Sequence, residues 1–410
     1  MKKSYGSWAD TQLELVGVVE RLLHEFVVSA GMDALGAVLE AERSDACGPR
    51  YKRGPERKAS RTGHAAGELV LGGRRVRVMR PRARSRDGKE VVLPSWRRFS
   101  DEDPLRERAL EQMLVGVSTR KYDRSLEPVA ASIKTRGTRK SAVSSRYVAI
   151  TTARMKEWLE RDLSSLNLVV AMIDGVHIAD HVMIVAVGVD AQGNKHVLGI
   201  REGATENAAV CTELLCDLRT RGMSTERKML FVLDGSKALR KAVVDVFGNH
   251  ARIQRCQIHK LRNVRDQLPE YMRSTVSSTM RQAYRCNNVV HARKLLQNLA
   301  RTLRADHPSA AASVEEGLEE TLTVMAMRLP RGLERVLSTT NIIENLIGST
   351  RDLSHRVKRW RDGQMIVRWT ATAVQEASKK FRRIAGYKDM PRLVAALRDH
   401  EALEREEKVA

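Results

Sequence analysis

The middle of the chain alternates between short apolar runs and amphipathic segments, which predicts a sheet covered by helices. Continuous apolar runs ending in polar turn residues are typical of buried strands, and apolar positions three and four residues apart are typical of helices. The predicted order is β-β-β-α-β-α-β, with strands over 168–173, 182–189, 196–200, 228–233 and 252–256 and helices over 206–220 and 236–246. Three strands joined by short turns, followed by strands alternating with helices, indicate a mixed sheet.

The regions on either side are predicted to be mainly helical. Residues 8–44 carry an apolar stripe at helical spacing, interrupted at Gly31. Such a stripe is more often part of a hydrophobic core or a dimer interface than of a catalytic site. Residues 104–162 hold two more helices, compatible with a helix-turn-helix or with an ordinary helical hairpin. From 257 to 334 the pattern is helical without a convincing strand, and 393–407 form a charged terminal helix.

The composition adds a large excess of positive charge to this picture. The 410 residues include 72 Lys and Arg against 50 Asp and Glu, a net charge of +22, and their 42% hydrophobic content excludes a wholly disordered chain. A protein with this excess of positive charge usually binds a polyanion, and nucleic acid is the first candidate. The alternative is a protein that is merely basic.

Residues 50–98 hold over half of this excess, with sixteen basic and four acidic side chains. Within them, 75–80 alternates basic and apolar residues, the period of a strand with one basic face. Such a strand can lie along phosphates, and a solvated flexible linker is an equally good interpretation. The basic residues predicted to contact DNA in the N-terminal half are Arg75, Arg77, Arg80, Arg82, Arg84, Arg120, Lys121, Arg139, Lys140 and Arg146.

Cysteine usage and hydropathy point to a reducing compartment. The five cysteines contain no C-x-x-C pair, which argues against a disulfide scaffold and against a four-cysteine zinc site. No apolar run has the length of a membrane span, and no signal peptide is visible at the start of the sequence. A cytoplasmic protein is therefore expected.

Two predicted strands end in the same dipeptide, Asp174-Gly175 and Asp234-Gly235. Either dipeptide alone is more often a turn. As a pair they would bring two carboxylates together if the strands are neighbours, and Mg²⁺ would relieve the repulsion. A third acid, Glu344, follows Asn341 by three residues. This spacing resembles a helix capping box, and a helix start can also orient an acid towards the sheet.

Together these stretches resemble the Mutator-type bacterial insertion-sequence transposases. The resemblance extends over about residues 50–370 and rests on segments in a fixed order, 173–177, 185–199, 232–235, 255–260 and 340–344. Asp174 and Asp234 are 60 positions apart, and Asp234 and Glu344 are 110 apart. The second gap fits this family's all-helical insertion.

Because this family carries a DDE triad on an RNase H-like fold, the resemblance implies that Asp174, Asp234 and Glu344 are the catalytic acids. They would hold two Mg²⁺ ions, with Mn²⁺ able to substitute. The enzyme would cleave at the terminal inverted repeats of its insertion sequence and transfer the exposed 3′-hydroxyl to another strand. Its partners would be double-stranded transposon ends and target DNA, paired by a homodimer, without membrane or small-molecule cofactor. It would be cytoplasmic and associated with the bacterial nucleoid.

Further residues join this candidate site. Cys256 and His259 match the family's C-x-x-H signature, and since no second pair completes a zinc site, they are expected with Asn341 to support the active site. Basic residues beyond Glu344, with interleaved tryptophans, are expected to bind phosphates and stack on a base, or else to form a solvated helix with core tryptophans. They are Arg351, Arg356, Lys358, Arg359 and Trp360.

The fold class that follows is α/β (α+β), an RNase H-like mixed sheet flanked by helices, with a helical insertion and a preceding, mostly helical, basic DNA-binding region. The expected domains are an N-terminal helical region for dimerisation (1–48), a basic ribbon or linker (49–100), a helical DNA-binding region (101–164), the catalytic core in two parts (165–256 and 337–385), the insertion (257–336) and a C-terminal helix (386–410). The alternatives are an RNase H-like structure-specific nuclease and a non-catalytic DNA-binding regulator, and the regulator has no need of paired aspartates.

Overall fold

The structure, a computed structural model, describes most of the chain as two compact units, Met1–Ile150 and Thr151–Ala410. The described residues are 8–52, 57–71, 74–101, 110, 112–113, 122, 134–136, 140–178, 180–203, 208–354, 357 and 359–398.

In the first unit, a long helix packs on an antiparallel ribbon. The elements are α1 (Trp8–Cys47), β1 (Ala59–Leu71), β2 (Arg74–Ser85), α2 (Pro94–Asp101) and β3 (Thr135–Arg136), in the sheet order β1-β2-β3. Leu35 and Leu39 of α1 are buried against Leu69, Val76 and Leu93. These contacts cover one side of the ribbon and leave the other to its polar side chains.

Two sequence predictions for this unit have clear outcomes. The predicted break at Gly31 is wrong, because α1 runs through it without interruption. A single glycine costs a helix only about 1 kcal/mol, which the rest of the long helix offsets. The strand predicted over 75–80 is present as part of β2.

The second unit is built on a five-stranded mixed sheet, as predicted. After α3 (Lys140–Glu160) come β4 (Leu168–Ile178), β5 (His181–Asp190), β6 (Lys195–Gly203), α4 (Ala208–Thr220), β7 (Met229–Leu233), α5 (Lys237–Phe247) and β8 (Ala251–Arg255). The strand order is β6-β5-β4-β7-β8. The three strands β6, β5 and β4 pair antiparallel, whereas β4, β7 and β8 run parallel.

The described residues that follow β8 are mainly helical. They contain α6 (Gln257–Asp266), α7 (Glu270–Tyr284), α8 (Val289–Leu303), α9 (Pro308–Glu315), α10 (Leu318–Ala326), α11 (Arg331–Leu337), α12 (Asn341–Ser354) and α13 (Gly363–Ser378), and residues 390–398 are also helical. The helical pattern predicted for 257–334 is therefore confirmed. Its helices bury a core of their own, which includes Val264, Met280, Leu296 and Leu322. Within the described ranges, each helix is too short or too polar to cross a lipid bilayer.

Helix α10 covers the free edge of β8, and the buried Gln254 makes the connection. Its side-chain amide donates to the carbonyl of Thr321 at 3.0 Å and accepts from the backbone N–H of Val324 at 2.8 Å. The hydroxyl of Thr323 donates to the carbonyl of Ile253 at 2.7 Å. An uncovered edge strand leaves unpaired backbone groups, and the Thr323 hydroxyl satisfies one of them, the carbonyl of Ile253.

A buried lysine also joins the insertion to the sheet. Lys260 is 1% exposed, and its ammonium group donates to the carbonyl of Glu316. Burial and the nearby charge of Arg255 together lower the pKa of Lys260 to about 8, against the opposing charges of Glu316 and Glu320. The folded chain therefore releases this proton at a lower pH than the unfolded chain does.

We expect this lysine to make the unfolding free energy rise with pH. Above pH 8 the unfolded chain still binds the proton that the folded chain has lost, so stability increases by up to about 1.4 kcal/mol per pH unit until the ordinary lysine pKa is reached. Urea unfolding at pH 8 and pH 9.5 should show a larger gain for the wild type than for K260M. Equal gains in both proteins would contradict the assignment.

Candidate active site

The register between β4 and β7 brings Asp174 and Asp234 to the same level of the sheet. The two strands run parallel, and the last pair in their ladder is Ile173 with Leu233. Asp174 directly follows Ile173, and Asp234 directly follows Leu233. The expectation that these strands are neighbours is therefore confirmed, and the two aspartates follow directly on a paired position of the sheet.

The prediction that Asp174 ends its strand is wrong. Strand β4 continues to Ile178, because β5 goes on pairing with it, Asp174 opposite Val185 and Gly175 opposite Ile184. The turn interpretation of Asp174-Gly175 is thereby excluded. Asp174 instead lies at the point of β4 where pairing with β7 has ended and pairing with β5 continues.

Asp234, in contrast, does lie in a turn. It follows the end of β7, Gly235 has the left-handed φ of 110°, and the backbone N–H of Ser236 donates to Asp234 Oδ1 at 2.8 Å. The side chain of Ser236 then caps α5. The turn interpretation and the candidate catalytic role are compatible here, since the turn fixes one oxygen of the carboxylate.

Both aspartates belong to the same face of the sheet. Side chains alternate across a strand, and Met172 and Val176 of β4 lie in the core that also contains Val232 of β7. Asp174 and Asp234 continue this alternation on the same side. That core is completed by α12 and α13, so the helix that carries Glu344 covers the same face of the sheet.

Helix α12 holds Glu344 against this face. Ile343, Leu346 and Ile347 are buried in the same core, and Glu344, half-buried in the first turn, follows directly on Ile343. The backbone N–H of Glu344 donates to the carbonyl of Thr340 at 3.0 Å. Glu344 therefore belongs to the helix that packs on the face of the sheet to which both aspartates belong.

Thr340 is the residue that the sequence analysis missed. Its hydroxyl is fully buried and donates to Glu344 Oε1 at 2.6 Å. The hydroxyl oxygen of Thr340 also lies 3.3 Å from Cys256 Sγ and 3.3 Å from His259 Nδ1. The signal was available as a threonine directly before a helix start, the usual position of a cap. Asn341, which the capping-box interpretation favoured, is exposed.

The electrostatics of the Cys256 and His259 pair follow from these contacts. The hydrogen bond to Cys256 raises the pKa of His259, and the charges of Glu344 and Asp234 raise it further against burial. Burial raises the pKa of the Cys256 thiol, but hydrogen bonds from His259 and Thr340 outweigh this and lower it overall. His259 therefore lies in the field of two of the three acids.

Two sets of side chains are candidates to hold a metal ion, and among the described residues only the first has all its ligand atoms close together. Ligand atoms of Cys256, His259 and Glu344 lie within 4.8 Å of one another. However, Cys256 Sγ and His259 Nδ1 both contact the Thr340 hydroxyl. The carboxylates of Asp174, Asp234 and Glu344 offer only oxygen donors, which is the chemistry that Mg²⁺ prefers. The donor set of the three acids therefore fits magnesium.

The predicted DNA-contacting arginines of β2 differ in their surroundings. Arg77 and Arg84 are exposed, and Arg75 pairs with Glu68 at 3.3 Å. Both remaining arginines pair with Glu90, Arg80 at 2.9 Å and Arg82 at 3.0 Å. Arg80 also lies over the ring of Trp96. Arg77 and Arg84 are thus the two most available to a phosphate.

The other predicted DNA contacts lie further along the chain. Lys140 and Arg146 belong to α3, Arg351 and Arg359 are exposed, and Trp360 packs half-buried against the sheet core. The residues that fall outside the described part of the chain are Arg120, Lys121, Arg139, Arg356 and Lys358. A DNA-contacting role for this set stays a prediction.

Comparison with known proteins decides the family. The sequence model of a family described as "Transposase, Mutator family" matches residues 16–383. The chain belongs to the Mutator family of transposases. It is 28% identical over 377 residues to the transposase for insertion sequence element ISRM5 of Rhizobium meliloti (strain 1021), covering 89% of this chain and 90% of the relative.

Other relatives agree. The Mutator-family chain is 26% identical over 334 residues to the transposase for insertion sequence element IS905 of Lactococcus lactis subsp. lactis (strain IL1403), covering 79% of this chain and 82% of that one. It is 25% identical over 312 residues to the transposase for IS256 in transposon Tn4001 of Staphylococcus aureus, covering 72% and 75%. As a transposase it acts on DNA, cutting and joining strands.

Proposed function

We propose that this transposase is a DDE enzyme in which Asp174, Asp234 and Glu344 hold two Mg²⁺ ions. The observation that supports it is the ladder of β4 and β7, which puts both aspartates side by side on the face covered by the Glu344 helix. Divalent ions would offset the repulsion between these negative charges when the three side chains bind them.

The reaction is an in-line displacement at phosphorus, first by water and then by a DNA 3′-hydroxyl. Charge develops on the attacking and the leaving oxygen, and bound Mg²⁺ would supply positive charge at both. The protein's own part is to hold the acids in place. The N–H of Gly175 donates to Asp174 Oδ1 at 2.8 Å, Ser236 fixes Asp234, and the Thr340 hydroxyl fixes Glu344.

The recognition of the terminal inverted repeats is assigned to the basic first unit. Arg77 and Arg84 are exposed there, and an exposed basic strand can follow a phosphate backbone. Two ends must be brought together for transfer, and a homodimer provides one active site for each.

The metal dependence of the proposal can be tested directly. A labelled duplex that carries the terminal repeat should be nicked at the end of the element with Mg²⁺ or Mn²⁺ and stay intact in EDTA. The cut strand should then join to a target duplex through its 3′-hydroxyl. Cleavage in EDTA, or cutting of branched DNA without joining, would contradict a DDE transposase and favour the nuclease alternative.

The Thr340 hydroxyl gives a prediction of its own. We expect T340V to slow cleavage about 10- to 100-fold, because a hydrogen bond to a carboxylate contributes about 1.5–3 kcal/mol to holding Glu344. T340S keeps the hydroxyl and should retain most activity. The T340V variant should also need more Mg²⁺ for half-maximal cleavage. Equal rates for the valine and serine variants would argue against this role.

A further inference from the structure

A large cleft opens in the second unit beside the helix that carries Glu344. Its volume is about 1170 Å³, and its walls come from α6, the end of α7, α11 and the start of α12. Asn341 and Asn345, which flank Glu344 along α12, are among the lining residues. Whatever occupies this cleft therefore lies next to the candidate active site.

The cleft is strongly basic. The cleft is lined by Arg281 of α7, by Arg285 directly after α7, and by Arg331 and Arg335 of α11, and all four are exposed. Among the residues that the structure describes, none of these four guanidinium groups forms an ion pair with an acid. The acid in the lining is Glu334, and burial raises the pKa of its carboxyl against the opposing charge of Arg331. Four arginines held around one space repel each other unless an anion enters it.

We propose that this cleft binds the phosphate backbone of the DNA strand that leads to the scissile position, an inference that rests on the proposed function. The arginines are spread over two helices around a space much larger than a single phosphate group, which favours a polyanion. Amide side chains such as Asn287 and Gln257 add hydrogen-bond donors, and Ile258 and Leu261 add apolar surface for sugars. None of these residues lies in the basic first unit.

The test uses two double variants of the full chain, R281A/R285A and R331A/R335A. Binding to a duplex that carries the terminal repeat and its flanking DNA is measured by fluorescence anisotropy in EDTA, from 50 to 200 mM salt. Each lost phosphate contact should reduce the slope of log K against log salt by about 0.9, so each double variant should lose nearly two units of slope. At the highest salt we expect binding at least tenfold weaker.

The matched control is K294A/R301A. It removes the same charge from exposed positions of α8, in the same helical insertion but outside the cleft lining. Its slope and affinity should stay near those of the wild type. If the cleft variants and the control behave alike, the loss is one of net charge and the inference is wrong.

Two further outcomes separate this inference from the proposed function. Normal DNA binding by the cleft variants, together with loss of cleavage on D234N substitution, would overturn the cleft alone. Weak binding by the cleft variants, with D234N still cleaving, would overturn the DDE assignment and leave the cleft standing. Tight binding of dATP that disappears in both double variants, with DNA binding unchanged, would make the cleft a nucleotide site and refute a strand-binding role.

Discussion

D234N is expected to abolish DNA cleavage and strand transfer while end-DNA binding stays within about twofold of the wild type. The asparagine has the same shape, and its amide oxygen can still accept the hydrogen bond that Ser236 donates. The negative charge that would hold the metal is lost. The rate should fall about a thousandfold or more, since charge stabilisation at the reacting oxygens is the main catalytic contribution. A gel-based nicking assay with pre-bound end DNA measures it.

The same loss is expected for D174N and E344Q, because the three acids act as one unit. D245N is the matched control, since Asp245 pairs with Lys241 on the surface of α5 and should leave the rate unchanged. Cleavage at the wild-type rate by any of the three site variants would remove that residue from the triad. Loss of DNA binding in all three would show that they disturb the fold instead.

Q254A is expected to lower the unfolding free energy by about 3–5 kcal/mol. The substitution removes two buried hydrogen bonds to α10, each contributing about 0.5–1.5 kcal/mol, and leaves a cavity at a fully buried position, which adds the cost of lost packing. For a unit of this size the unfolding midpoint should fall by about 10 °C. Thermal unfolding followed by circular dichroism measures the shift.

Gln257 provides the control for this prediction. Its amide also donates to the carbonyl of Thr321, at 3.0 Å, but the side chain is only half-buried, so water can replace it. Q257A should cost less than about 1 kcal/mol. A drop of equal size in both variants would mean that the buried network of Gln254 does not anchor α10.

The elements of the sheet were predictable because their apolar patterns are local. The strand over 228–233 and the helix over 236–246 are present within one residue at each end as β7 and α5. Strand β1 was missed, since its sequence contains two glycines and three of its six apolar residues are alanines. It forms because β2 offers it a complete antiparallel partner.

The site was predictable only in part, because its geometry depends on contacts between distant residues. The sequence indicated Asp174 and Asp234 but not their register, which the pairing of Ile173 with Leu233 fixes. It also missed Thr340, whose partner Cys256 lies 84 positions earlier. No local pattern reveals that a hydroxyl before one helix meets a thiol at the end of a distant strand.

The two ends of the helical insertion meet, and this has a consequence for how the protein can change. The backbone N–H of Gln257 donates to the carbonyl of Ser338 at 3.0 Å, so the chain leaves the sheet and returns to it at nearly the same point. When the two ends of a chain segment are held together, each doubling of the segment's length costs only about 0.6 kcal/mol of closure entropy. Evolution can therefore lengthen, shorten or rebuild the intervening helices while the distance between the acids stays constant.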